Sequence, residues 1–253
     1  MNLHYNKHGK GNPIVILHGL FGSGNNWHTV GKKLAESHEV FLIDQRNHGK
    51  SPHSNEFNYQ VMVKDIEEFF DDHNIECALL IGHSMGGKTA MNFALKNVNK
   101  VFGLIVVDIG IKDYPFSDTV LLNAMKNLNL NSIISREGAD IELSKTIDNR
   151  RVRQFLLQNL KRAKSNKLEW KINLQCIIDN IGRIGEPVKP GNSFNKPALF
   201  ISGSESDYIH EEDHSSILNI FPQARFMIIE KAGHWVHADN PDGFIKTARD
   251  FFG

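Results

Sequence analysis

Short apolar runs alternate along the chain with longer stretches in which apolar residues recur every three or four positions. The runs at 13–17, 40–43, 78–81, 101–107 and 198–201 are almost uniformly apolar, the pattern of strands buried on both faces of a parallel sheet. Residues 3–6 predict a short edge strand and 225–229 a last strand. The periodic stretches at 27–37, 59–73, 88–97, 214–221 and 241–252 predict helices. In the second of these, Val63, Ile66, Phe69 and Phe70 form the apolar stripe. Strands alternating with helices predict a parallel sheet wound on both faces. The rhythm stops between 113 and 193, where helical patterns at 121–128, 144–161 and 171–181 follow one another without strands. Pro187, Pro190 and Gly191 close that region. The expected organisation is a core of residues 1–112 and 194–253 with a helical cap, 113–193, inserted into it.

Ligands bind such sheets beyond the carboxyl ends of the strands. The segments at His18, Arg46, Ser84 and Asp108 all follow predicted strands. At one of these ends stands Gly82-His83-Ser84-Met85-Gly86-Gly87, between an apolar strand and a helix. A G-x-S-x-G segment in that setting is a nucleophile elbow, a sharp strand-to-helix turn that lifts the serine hydroxyl above the sheet. Its neighbours must be small, and the helix N-terminus behind it favours negative charge. Three fixed letters alone recur by chance in about one chain in twelve of this length, so the surrounding segments must carry the assignment.

They do so together. His18-Gly19-Leu20-Phe21-Gly22, Asp44-x-Arg46-Asn47-His48-Gly49-x-Ser51, Gly82-His83-Ser84-Met85-Gly86-Gly87-Lys88, Asp108-Ile109 and Gly233-His234-Trp235-Val236-His237, in this order, resemble the α/β-hydrolase superfamily over nearly the whole chain. The same segments are most similar to YbfF-type bacterial esterases and the related ABHD-type hydrolases. The resemblance implies an α/β-hydrolase fold with a mostly parallel central sheet, and a Ser…Asp…His triad. Ser84 is then the nucleophile and His234 its base, with Trp235 anchoring the base's loop; His237 is the runner-up for the base and reads better as capping or packing the following helix. The backbone N–H groups of Leu20 and Met85 are expected to form the oxyanion hole, with Phe21 the weaker alternative for Leu20. His18 is expected to bond loop backbone, and Asp44, Arg46 and His48 to brace loops. For the acid, the G-x-x-D position common in this superfamily holds Ser206, and Asp207 comes one residue late. Asp108 ends an apolar strand, where a carboxylate needs a partner for its charge. It is favoured over Asp207, with Ser206 an auxiliary hydrogen-bonding group.

The expected reaction is hydrolysis of a small-molecule carboxylic ester, or an acyl-CoA thioester, through an acyl-serine. Carbon–carbon hydrolysis, lyase chemistry, cofactor-free haloperoxidation or slow-turnover ligand reception are alternatives on the same scaffold. No cofactor or metal is implied. Lys plus Arg and Asp plus Glu number 29 each, so net charge argues for no nucleic-acid partner. No apolar stretch is long enough to span a bilayer, and the chain opens without a signal-like segment, so no membrane role and a cytoplasmic location are expected. Cys77 and Cys176 match no metal or redox spacing and read as buried thiols. The oligomeric state stays open. One region departs from the overall neutrality. Arg150, Arg151, Arg153, Lys161, Arg162, Lys164, Lys167 and Lys171 make the middle of the cap basic. These side chains form either a solvated outer face or a field that steers an anionic substrate.

Overall fold

The computed structural model describes residues 1–115, 119–189 and 191–252; Pro190 lies outside them. Strands β1 (Tyr5–His8) and β2 (Pro13–Leu17) lead through a 3-10 turn at Gly24–Trp27 into helix α1 (His28–Leu34). Then follow β3 (Glu39–Ile43), α2 (Tyr59–Asp72), β4 (Ala78–His83), α3 (Met85–Lys96) and β5 (Val101–Val107). The next stretch holds α4 (Thr119–Asn127), α5 (Arg136–Leu143), α6 (Arg150–Leu157), a hairpin of β6 (Leu160–Arg162) and β7 (Leu168–Trp170), and α7 (Leu174–Gly185). The sheet resumes with β8 (Ala198–Gly203), α8 (His214–Ile220), β9 (Ala224–Ile229), the single turn α9 (Val236–Asp239) and α10 (Pro241–Phe252).

The large sheet has the order β1-β3-β2-β4-β5-β8-β9. β1 runs antiparallel to β3, and the remaining pairs are parallel. Each strand feeds two cores because successive side chains point to opposite faces. Val15, Leu17, Leu80, Leu104 and Val106 pack with Phe70, Phe93 and Phe221 on one face. Ile14, Ile16, Leu79, Ile105 and Val107 pack with Trp27, Leu34 and Phe244 on the other. A third cluster belongs mainly to the segment between β5 and β8: Leu122, Met125, Leu156, Leu160 and Ile177 pack onto Phe21 and Met85 of the sheet's loops.

That segment is less uniformly helical than its sequence pattern suggested. Of the expected helix 144–161 only Arg150–Leu157 is helical. Asn149 starts a new helix, its side chain accepting from the N–H groups of Arg151 and Val152. Beyond α6, Leu160 pairs with Trp170 and Arg162 with Leu168 across a turn in which Asn166 takes φ +63°. An asparagine at a helix start and one at a left-handed turn are both preferred local solutions; the first breaks the expected helix near its start, and the second closes a hairpin whose first strand takes the expected helix's last residues. α7 likewise begins at Leu174, capped by Asn173, three residues later than expected. Both cysteines are free thiols, Cys176 buried and Cys77 half-buried rather than buried. No helix of the described residues is long and apolar enough to cross a membrane.

The loop after β3 is held by buried polar contacts. Asp44 accepts from the Gly24 and Lys50 N–H groups at 2.7 and 2.8 Å. Arg46 makes a two-pronged pair with Asp65 of α2, at 2.5 and 2.8 Å, and also donates to the Glu56 carbonyl at 3.0 Å. Both partners of this pair are buried. Removing one side of a buried pair strands the other charge. Asp65→Ala should therefore lower the unfolding free energy by about 3–5 kcal/mol in urea titrations. A loss near that of an ordinary surface substitution would show that the guanidinium rehydrates and that the pair does not brace the loop.

Candidate active site

Neighbouring strands of the sheet lie about 4.8 Å apart, and five adjacent ones, β2, β4, β5, β8 and β9, carry the segments singled out above. Their C-terminal loops present, in order, Leu20, Ser84, Asp108, Ser206 and His234. His234 starts three strands away from Ser84 and must lean back over the sheet to approach it. Backbone bonds carry that return: Ser204 N–H to Ile229 O at 3.0 Å and Glu205 N–H to Ala232 O at 2.9 Å hold the β8 and β9 loops together. The His83 ring, on the elbow itself, donates to the His234 carbonyl at 2.8 Å. Burial first, and the nearby His234 and His237 second, push His83 well below the ordinary histidine value, so it serves as a neutral donor.

Ser84 has φ +52° and ψ −119°, a conformation that costs a non-glycine residue about 1–3 kcal/mol. Its backbone is held by Ser84 N–H to Val107 O and Lys88 N–H to Ser84 O, both 3.0 Å. A Cβ on Gly82 would collide with the Gly86 carbonyl, and one on Gly86 with the Leu17 and His18 carbonyls. The two glycines of the motif are thus required by close backbone approach. Helix α3 begins at Met85, immediately after the serine, rather than at Lys88. Among the described residues the Ser84 hydroxyl makes no hydrogen bond, and it faces a cavity that His234 also lines. The structure therefore places the two side chains on one cavity without a hydrogen bond between them, as free hydrolytic sites often do before substrate tightens them.

The loop after β2 is aimed by two histidines. His18 Nε2 accepts from Gln45 N–H at 3.0 Å, which leaves Nδ1 as the donor to Gly19 O at 2.8 Å. Gly22 N–H reaches the same carbonyl at 3.0 Å. In a trans peptide C=O and N–H point in opposite directions, so anchoring Gly19 O turns the Leu20 N–H away from it. Leu20 N–H has no protein acceptor among the described residues, and Met85 N–H opens its helix, so it has no partner there. Phe21 N–H, the weaker candidate, is taken by His48 Nε2 at 3.2 Å. His48 donates from Nδ1 to Arg46 O at 2.9 Å, and burial lowers its pKa to about 3.

Asp108 is fully buried, with φ +53°, at the end of β5. Its Oδ2 accepts from His234 Nδ1 at 2.7 Å and from the Ser206 hydroxyl at 2.5 Å, and Oδ1 accepts from Gly203 N–H at 3.2 Å. Donation from Nδ1 leaves His234 Nε2 with its lone pair. Asp207 is exposed and pairs with no imidazole among the described residues. His237 is buried and stacks on Trp27, ring centroids 3.9 Å apart, and burial lowers its pKa to about 3.

The cavity measures about 570 Å³ and is lined largely by apolar groups, among them Leu20, Val152, Phe155, Ile184 and Trp235. Trp235 packs on Phe155 and lies under the Arg151 guanidinium, which also pairs with Asp239. The other cations of the basic stretch are mostly occupied: Arg153 with Asp140 and two carbonyls, Lys161 with Glu169, Arg162 with the Ile134 and Asn166 carbonyls. Two neighbours of the site have no role expected from sequence. Tyr208 stacks on the His234 ring at 4.0 Å. Lys88, one turn along α3 from Ser84, donates to the carbonyls of Lys112, Gly185 and Glu186 at 2.9, 2.7 and 2.5 Å, and burial lowers its pKa to about 8. Lys88 closes the Gly82–Lys88 segment and lies four residues, one helical turn, after Ser84, but neither fact gives it a role; Tyr208 had no sequence signal. Among the described residues no group of three or more His, Cys, Asp or Glu is placed to hold a metal ion.

The family model described as alpha/beta hydrolase fold matches residues 12–241. A relative from Danio rerio, "sn-1-specific diacylglycerol lipase ABHD11", is 40% identical over 253 residues, covering 96% of this chain and 80% of that protein. "Esterase YbfF" of Escherichia coli (strain K12) is 34% identical over 241 residues, covering 94% and 92%. A solved structure titled "Marine microorganism esterase" superposes with a TM-score of 0.96 at 40% identity, over 99% of both chains. With the sheet order and elbow described above, these likenesses establish that the chain belongs to the α/β-hydrolase fold family.

Proposed function

We propose that the protein hydrolyses small-molecule carboxylic esters through an acyl-serine, with residues 113–193 acting as a cap over the site. The observation that carries this reading is the buried Asp108–His234 hydrogen bond beside a strained serine at a helix N-terminus, with Ser84 and His234 both lining one largely apolar cavity. Relatives named esterase and lipase support a carboxylesterase-like hydrolase. In this mechanism the Ser84 oxygen attacks the ester carbonyl carbon while its proton passes to His234 Nε2. The carbonyl oxygen becomes an oxyanion between the Leu20 and Met85 N–H groups. His234 returns the proton to the departing alcohol, then takes one from water as the water oxygen bonds the acyl carbon, and hands it to the Ser84 oxygen as the acid leaves. Asp108 holds the imidazole tautomer and offsets its positive charge without taking the proton. Ser206, donating to the same carboxylate oxygen, keeps Asp108 turned toward His234. Thioesters would enter the same cycle, with a thiol leaving in place of the alcohol.

Ser84→Ala should lower aryl-ester kcat/KM by about 10⁴-fold or more with the fold intact, because the serine, histidine and carboxylate act as a unit. A fluorophosphonate probe should label the wild type and not this variant; rapid labelling without turnover would instead favour a ligand receptor. Asp108→Asn should cost about 10⁴-fold in kcat by reversing the preferred imidazole tautomer, whereas Asp207→Asn should stay near wild type. A large loss confined to Asp207→Asn would move the acid to the β8 loop. Matched acyl-CoA and aryl esters, assayed with added salt, test the thioester arm. A salt-sensitive kcat/KM for the CoA substrate alone, flattened by Arg151→Gln, is expected if the cation beside Trp235 meets the anionic leaving group.

A further inference from the structure

Leu20 sits in a four-residue turn closed by the Gly22 N–H on Gly19 O, and the residue after it, Phe21, has φ +60°. Turns with that dihedral at the third position ordinarily use glycine or asparagine there. A phenylalanine holds it only under constraint from its surroundings. One constraint comes from the core, where His48 accepts the Phe21 N–H at 3.2 Å. The other comes from the segment between β5 and β8: Asn159 Nδ2 donates to the Phe21 carbonyl at 2.8 Å. Asn159 lies between α6 and β6 and is only 4% exposed. Its own carbonyl accepts from Lys171 N–H at 2.7 Å, which ties it to the far strand of the hairpin.

We propose that Asn159 is a positioning residue for the oxyanion-binding N–H of Leu20, so that the segment between β5 and β8 completes the catalytic apparatus as well as enclosing the cavity. The inference rests on the ester-hydrolase reading above. Without the Asn159 donor, the Phe21 carbonyl loses its partner and the turn loses one of the two bonds that hold a strained residue. The Leu20 N–H then drifts from the point where negative charge develops. That error is felt in the transition state and hardly in substrate binding.

The test uses the full chain with a short-chain aryl ester and an alkyl boronic acid. The boronic acid bonds its boron to the Ser84 oxygen, with the serine proton passing to His234, and presents a tetrahedral oxygen to the hole. Asn159→Ala should lower kcat about ten- to a hundredfold with KM within about threefold, and weaken boronate binding by the same factor as kcat. Asn159→Leu keeps nearly the same side-chain volume without charge and removes the donor, so it gives the same reading if the alanine variant unfolds. Gln158→Ala removes the adjacent contact, Asn26 Nδ2 to Gln158 Oε1 at 3.0 Å, and should behave as wild type. The proposal is overturned if the Asn159 variants keep wild-type kcat. It is equally overturned if their loss lies in KM with boronate affinity intact, or if Gln158→Ala loses as much kcat. Wild-type turnover that survives Ser84→Ala would sink the hydrolase reading itself, an outcome separate from all of these.

Discussion

A carboxylate without solvent lies at the centre of this molecule. Asp108 is wholly buried at the end of β5, where an ionised oxygen pair is tolerable only if donors surround it. They come from two neighbouring strands and their loops: Gly203 ending β8, Ser206 from the loop after it, and His234 from the loop after β9. Satisfying that charge gathers the loops into one place. The backbone at Asp108 takes a left-handed conformation, as does Ser84 on the adjacent strand. Two strained residues side by side are held by the same sheet, since Ser84 N–H bonds Val107 O and Asp108 N–H bonds Ile201 O.

Around this charge the protein uses imidazoles as neutral spacers. His18, His48 and His83 each lie buried, and burial lowers the pKa of each. A neutral imidazole is donor on one nitrogen and acceptor on the other, so one ring can orient two peptide groups. His18 joins Gln45 to Gly19, and His48 joins Phe21 to Arg46. His83 ties the elbow to the loop of His234. A longer or permanently charged side chain would fill these roles poorly.

The segment between β5 and β8 is joined to the core by polar pins as well as by apolar packing. Lys88 binds carbonyls at both of its crossings, Lys112 on the way out and Gly185 and Glu186 on the return. The Asn173 N–H bonds Asn47 O at 2.9 Å, so the cap of α7 is tied to the loop after β3. Its contacts thus reach the elbow helix and the loops that shape the cavity.

The core was legible from sequence because its strands are buried on both faces and its turns are governed by local rules. Unbroken apolar runs locate the strands, and the glycines around Ser84 announce a turn that only small residues permit. The order of the segments around His18, Ser84, Asp108 and His234 suffices to name residues worth pairing, because strand ends in such a sheet converge. The segment from 113 to 193 is less legible. Its periodicity at 144–161 is compatible with one helix, and Asn149 and the hairpin starting at Leu160 break it through cap and turn preferences that tertiary packing then selects. The sequence by itself determined the fold class, the strand ends and the candidate Ser84, Asp108 and His234. Only the tertiary structure decided that Asp108 rather than Asp207 meets His234, that Phe21 N–H is already taken, and that Tyr208, Lys88 and Asn159 stand where they do. Each of those depends on contacts between residues far apart in the chain, and local patterning carries no information about which distant partner a buried polar group will find.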